Sequence, residues 1–164
     1  MIDHTRLPNE PAAALDLTRY LGLWHEVAHL PMFFQRHCAD QITATYTQGA
    51  DGSISVLNAC RTRAGTREAS TGTARACPGR PGAFKVTFVP PWLRWLPGAW
   101  ADYWVIDLDP AYQWAVVGSP SRRYLWVLSR RPIMQQSLFQ ELLERAQARG
   151  YPVQRLVLAA KLAG

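Results

Sequence analysis

The sequence predicts an all-β fold: an eight-stranded antiparallel up-and-down barrel with a C-terminal α-helix packed outside it. Three observations predict this. Short runs of strand character recur between residues 23 and 129, punctuated by Gly, Pro and Asp turn signals. None of the intervening connections carries a helical stripe, so the strands meander instead of crossing over. A single apolar stripe then follows, Met134, Leu138, Phe139, Leu142, Leu143 and Ala146, stepping by four, one and three as one face of a helix does.

In chain order, residues 1–14, with Pro8 and Pro11, read as a flexible tail, and 15–164 as one domain. Leu15 to Tyr20 read as a short helical turn. Strands are expected near 23–30, 41–48, 53–61, 67–76, 83–89, 101–107, 112–118 and 123–129. Asp51-Gly52 joins the second and third, because this pair accepts the positive φ of a tight hairpin. Ile54–Asn58 and Phe84–Phe88 alternate apolar and polar, which suits strands with one wet face. Tyr112–Val117 and Tyr124–Leu128 are apolar on both faces, as expected with a cavity on one side and a helix on the other. Pro132 precedes the helical stripe and Gly150 stops it. A short final strand near 155–159 is expected to pair with the first.

The net charge is +6, and 16 of the 18 basic residues are Arg, since only Lys85 and Lys161 are lysines. Such a balance invites a nucleic-acid reading, but no nucleic-acid motif is present and the helix carries an apolar stripe that requires docking. No apolar run reaches 18 residues, so no helical span is expected. Met1 to Leu15 has charges and two prolines where a signal peptide would have an apolar centre. A cytoplasmic location follows if Met1 is the native start; the periplasm or outer membrane follows if a signal segment has been removed. His4, His25, His29 and His37 form no metal pattern, and no metal or other cofactor is expected. Ser119, Ser121 and Ser129 sit in no nucleophile motif.

A barrel closed at one end needs a large plug and something to hold it. Trp24, in Gly22-Leu23-Trp24, suits the plug, and Arg130, in Leu128-Ser129-Arg130, suits a guanidinium laid on its indole face. Asp109, in Asp107-Leu108-Asp109-Pro110, suits the closed-end turn. With these residues at these spacings the chain resembles the lipocalins. Ala44-Thr45-Tyr46, Val105-Ile106-Asp107-Leu108-Asp109, Tyr124-Leu125-Trp126-Val127-Leu128-Ser129-Arg130 and Gly150-Tyr151 sharpen the resemblance to the bacterial outer-membrane lipoproteins, which are similar to apolipoprotein D. His25 stands where that group has Tyr, Trp24 and Glu26 remain in place, and no Cys precedes position 38 to carry a lipid anchor. The resemblance implies a binding protein, not an enzyme, that transports or stores a fatty acid or lysophospholipid in an apolar cavity. A lipocalin-fold enzyme acting on a lipid is the alternative.

The topology puts the connections 31–40, 62–66, 89–100 and 119–122 at the open mouth, and 49–52, 77–82 and 108–111 at the closed end. If Arg130 points inward, parity turns Leu128, Trp126 and Tyr124 inward too. The expected ligand contacts are Phe34, Phe88, Trp114, Tyr124 and Trp126, with Arg122 at the mouth for a lipid head group. Cys38 and Cys60 lie near register across the Asp51-Gly52 hairpin, so a disulfide is expected if the strand enters with a bulge, leaving Cys77 as the odd thiol. The 89–100 loop offers Trp92, Leu93, Trp95 and Leu96 between prolines, suited to a membrane surface or to a homodimer contact.

Overall fold

The computed structural model describes residues 6–32 and 37–164. Eight strands close into one antiparallel barrel: β1 (Gly22–His29), β2 (Cys38–Gln48), β3 (Ile54–Thr62), β4 (Arg67–Cys77), β5 (Arg80–Thr87), β6 (Ala101–Leu108), β7 (Trp114–Gly118) and β8 (Trp126–Ser129). Closure is direct, since β8 pairs with β1 from His25↔Ser129 to His29↔Trp126. A four-residue helix α1 (Leu17–Tyr20) runs into β1 and is N-capped by Asp16, which accepts from the Thr18 amide. β7 starts later than expected because Tyr112 adopts a positive φ (58°) in the turn before it, and β8 starts only at Trp126.

Met134 belongs to a two-residue strand, β9 (Met134–Gln135), instead of the helix proper. The helix α2 spans Gln136–Ala148. Its end is a Schellman motif. The Tyr151 amide bonds the Ala146 carbonyl, the Gly150 amide bonds Gln147, and Gly150 supplies the required positive φ of 95°. The helix buries Phe139, Leu142 and Ala146 against Val27, Val116, Leu125 and Val127 on the outer barrel wall. Arg145 then spans Glu141 on its own helix and Asp107 on β6 (3.1 and 3.4 Å). β10 (Val157–Leu158) pairs with Ala28 and His29 of β1, as expected of the final strand, and β11 (Leu162–Ala163) lies parallel to β9.

Residues 6–14, expected as a tail, lie along the barrel. The Leu7 amide bonds Ala148, Ala12 bonds Val105, and Gly82 bonds the Ala12 carbonyl. Asn9 joins a knot at the mouth side. The Tyr151 hydroxyl lies 2.7 Å from Asn9 Oδ1 and accepts from the buried Ser119 amide at 3.0 Å. Gly118 makes room for that ring, because a Cβ there would meet the Tyr151 hydroxyl at 2.1 Å.

The Cys38–Cys60 disulfide is formed, with Cα atoms 5.7 Å apart, and Cys77 is free. Two register irregularities in β2, between Cys38 and Asp40 and between Asp40 and Thr43, bring Cys38 opposite Thr62, two positions from Cys60. The positive φ of Gln41 (50°) falls in this stretch. The bulged entry needed for the bridge is therefore present.

Candidate ligand cavity

The closed end is built around Trp24, which is fully buried and donates from Nε1 to the Tyr20 carbonyl at 2.8 Å. The Arg130 guanidinium lies 3.7 Å above the indole centroid. Its Nη2 donates to the carbonyls of Arg19, Tyr20 and Leu21, its Nη1 to Leu23, and its Nε to Tyr112. One side chain thus ties α1, the start of β1 and the β6–β7 turn together. Gly22 holds φ at 98°, a conformation that favours glycine at this corner. Asp109 fixes the β6–β7 turn through its carboxylate, which accepts from the Gln113 amide. Above the plug sit three phenols, those of the buried Tyr20 and Tyr46 and of the half-buried Tyr103. The Tyr103 hydroxyl bonds those of Tyr20 (2.7 Å) and Tyr46 (2.8 Å). Burial raises the pKa of all three, so they stay neutral donors and acceptors.

Over this floor lies a cavity of about 140 Å³. Apolar walls come from Ile42 and Ala44 of β2, Val56 of β3, Val86 of β5, and Trp126 and Leu128 of β8. It shares Ile42, Asn58, Val86, Phe88 and Ala101 with an outer compartment of about 390 Å³ bounded by the mouth residues His37, Glu68 and Ala99. The His37 imidazole and Glu68 carboxylate meet at 3.0 Å there. His37, Cys38 and Cys60 also cluster, but both sulfurs are in the disulfide and are not thiolate ligands.

Of the residues expected at the ligand, Trp126 and Phe88 line the cavity. Tyr124 stacks on Trp126 with ring centroids 6.0 Å apart, supporting the wall. Trp114 does not line it. Ala115 and Val117 are the inward residues of β7, so parity turns Trp114 outward, where it packs beside α2 with Arg145 5.9 Å from its ring. Arg122 is directed to the chain instead of a ligand: its Nε donates to the Arg149 carbonyl at 2.7 Å, tying the 119–122 turn to the end of α2. Phe34 lies outside the described residues.

In the sequence Glu26 enters only as a match to the family motif, with no role of its own. It sits two residues after Trp24 on the same inward face of β1, is only 5% exposed, and lines the cavity. No partner among the described residues reaches its Oε2. Burial alone raises its pKa to about 8. The available signal was parity: an acid at an i+2 position from a buried plug faces the same interior.

A closed barrel with an apolar interior, plugged at one end and open at the other, defines a fold for binding hydrophobic ligands. The family comparison gives this class its name. The lipocalin-like domain model matches residues 15–161, and the chain belongs to the lipocalin family. It is 41% identical over 150 residues to the temperature-induced lipocalin-1 of Arabidopsis thaliana, covering 90% of this chain and 80% of that protein. It is 34% identical over 151 residues to the outer membrane lipoprotein Blc of Vibrio cholerae, covering 90% and 84%. The resemblance therefore extends to a plant protein and is not specific to the bacterial group. Among solved structures, the cockroach allergen Per a 4 superposes with a TM-score of 0.70 at 18% identity, covering 97% of this chain and 96% of that one. Insecticyanin from the tobacco hornworm Manduca sexta gives 0.70 at 17%, covering 96% and 92%. These two share the fold.

Proposed function

We propose that the protein binds one single-chain lipid, a fatty acid or lysophospholipid, with the chain in the barrel and the head group at the mouth. The observation that carries this reading is the apolar cavity between Tyr46, Tyr103 and Leu128 at its floor and Phe88 and Ala101 toward the opening. Its role is transport or storage, without turnover. The Blc relatives, named as outer membrane lipoproteins, and the Cys38–Cys60 bridge together support an envelope location in an oxidising compartment.

The mouth adds a surface for lipid exchange. Trp92 and Trp95 are 71% and 76% exposed, on a loop that turns through Pro91–Leu93. The Trp95 Nε1 donates to the Trp92 carbonyl at 2.9 Å, so the indole N–H is satisfied within the loop and the ring is left to meet an apolar phase. Among the described residues no helix is long and apolar enough to cross a membrane. The decisive experiment is native mass spectrometry of delipidated, refolded protein with palmitate and with lysophosphatidylcholine, alongside Trp emission. Stoichiometric one-to-one complexes with an emission change support the reading, and no complex with either lipid refutes it. Replacing Trp92 and Trp95 by Ser should weaken binding to anionic vesicles while lipid uptake from solution persists.

A further inference from the structure

A cavity meant only for hydrocarbon has no use for a carboxyl in its wall. Glu26 provides one, on the inner face of β1 and opposite Leu128 of β8 in register. It is 95% buried by area, and Oε2 has no hydrogen-bond partner among the described residues. Glu26 also borders the outer cleft between β1 and β2, which holds Arg61, Arg67 and Lys161, and the two arginines are otherwise engaged. Arg61 Nε donates to Asp40 at 2.7 Å and Arg67 Nη1 to Gln41 at 2.9 Å, and neither they nor Lys161 pair with Glu26. Asp102, which lines the same cavity, is bound to Lys85. A buried carboxyl without a cation is held in its uncharged form, which can both donate and accept. The raised pKa agrees with this state. Nearby, the three phenols Tyr20, Tyr103 and Tyr46 make two bonds among themselves, so one of their three hydroxyl hydrogens has no use within the trio.

We propose that Glu26, with the phenol floor beside it, forms a polar station that hydrogen-bonds an uncharged oxygen, a hydroxyl or carbonyl, on the buried part of the ligand chain. The preferred ligand is then an oxygenated acyl chain instead of one ending in plain hydrocarbon. This rests on the barrel cavity being the lipid site. A carboxylate head group is not accommodated at this depth, because it would meet an acid with no cation to balance the pair. The polar end of a fatty acid therefore stays at the mouth, and the station reads the far part of the chain.

The test compares matched probes on delipidated protein: laurate and palmitate, each against its ω-hydroxylated counterpart, by calorimetry near pH 6.5. Wild-type protein should bind at least one hydroxylated probe about tenfold more tightly than its plain partner, the effect of one buried hydrogen bond. Glu26→Gln retains a donor and an acceptor and should keep the preference. Glu26→Leu should abolish or reverse it while binding the plain chains at least as well. Equal affinity within both pairs for wild type, or a preference that survives in Glu26→Leu, overturns the proposal. The wild-type comparison needs no variant to fold. Failure of all four probes to bind folded wild-type protein would instead remove the lipid-cavity reading on which the proposal rests.

Discussion

Replacing Arg130 tests whether the closed end is held by one side chain. Arg130→Met keeps the length and apolar stem but removes the guanidinium. The loss has two parts. The contact with Trp24, at 3.7 Å from the ring centroid, is worth about 1–2 kcal/mol in a partly desolvated site. The hydrogen bonds to Leu23, Arg19, Tyr20, Leu21 and Tyr112 are charge-assisted, but Arg130 is only half-buried and water can replace some of them. Counting them together as about 2–3 kcal/mol instead of adding each gives a total near 3–5 kcal/mol. For a chain of this size that corresponds to a Tm lower by roughly 10 °C. Arg130→Lys should fall between, since a lone ammonium cannot fork across several carbonyls. The assay is thermal and urea unfolding of the oxidised protein, followed by Trp emission and far-UV dichroism. A Tm for Arg130→Met within about 2 °C of wild type would refute the latch, given the scale above. A cycle with Trp24→Phe isolates the ring contact, expected as a coupling of about 1 kcal/mol.

Glu26 should make the ligand-free protein less stable as pH rises. Its pKa is about 8 folded against 4.5 unfolded, so the folded state holds the extra proton between these values, and stability present below 4.5 is lost through pH 8, by at most about 5 kcal/mol. Unfolding between pH 5 and 9 should show this slope in wild type and not in Glu26→Gln; parallel curves would refute it. Reduction, or Cys38→Ser with Cys60→Ser, should cost about 3 kcal/mol, because the bridge closes a separation of 22 residues in the unfolded chain. Unchanged urea midpoints with and without reductant would contradict this. Gly118→Ala should cost about 2–3 kcal/mol by pushing the Tyr151 ring off Ser119, and Tyr151→Phe should partly relieve the added penalty in a double-mutant cycle.

Much of the architecture was legible because its signals are local. The Asp51-Gly52 turn, the helix stripe ending at Gly150, and the single plug with its arginine each follow from residue type and spacing. The disulfide was legible one step further out, because an obvious hairpin fixes which residues can face each other across it. Trp114 and Arg122 were misplaced for different physical reasons. β7 is apolar on both faces, so composition cannot distinguish lumen from helix interface; only the observed pairing Trp114↔Ser129 fixes the parity. Arg122 looked like a mouth cation, but Gly150 lacks the Cβ that would meet Arg122 Nε at 2.7 Å, and the guanidinium settles over the helix end. That contact joins residues far apart in sequence and leaves no periodic trace.

Glu26 differs from both, because its position was readable and only its meaning was not. Trp24 fixes the inward face of β1, and Glu26 follows two residues later. An interior acid with no ion-pair partner among the described residues departs from the pattern of Asp40, Asp102 and Asp107, which each meet an Arg or Lys. Its burial opposes the ionised form, and a leucine there would remove that penalty with little change in volume. Among the described residues no hydrogen bond ties its Oε2 to the barrel. Strand pairing at Glu26↔Leu128 uses backbone alone, and the plug beneath is held by Arg130. The group is thus unnecessary to closure, unfavourable for stability above pH 4.5, and placed against the cavity. A residue with those three properties is what the proposed polar station predicts, and the hydroxylated and plain chains are the pair of probes that its chemistry distinguishes.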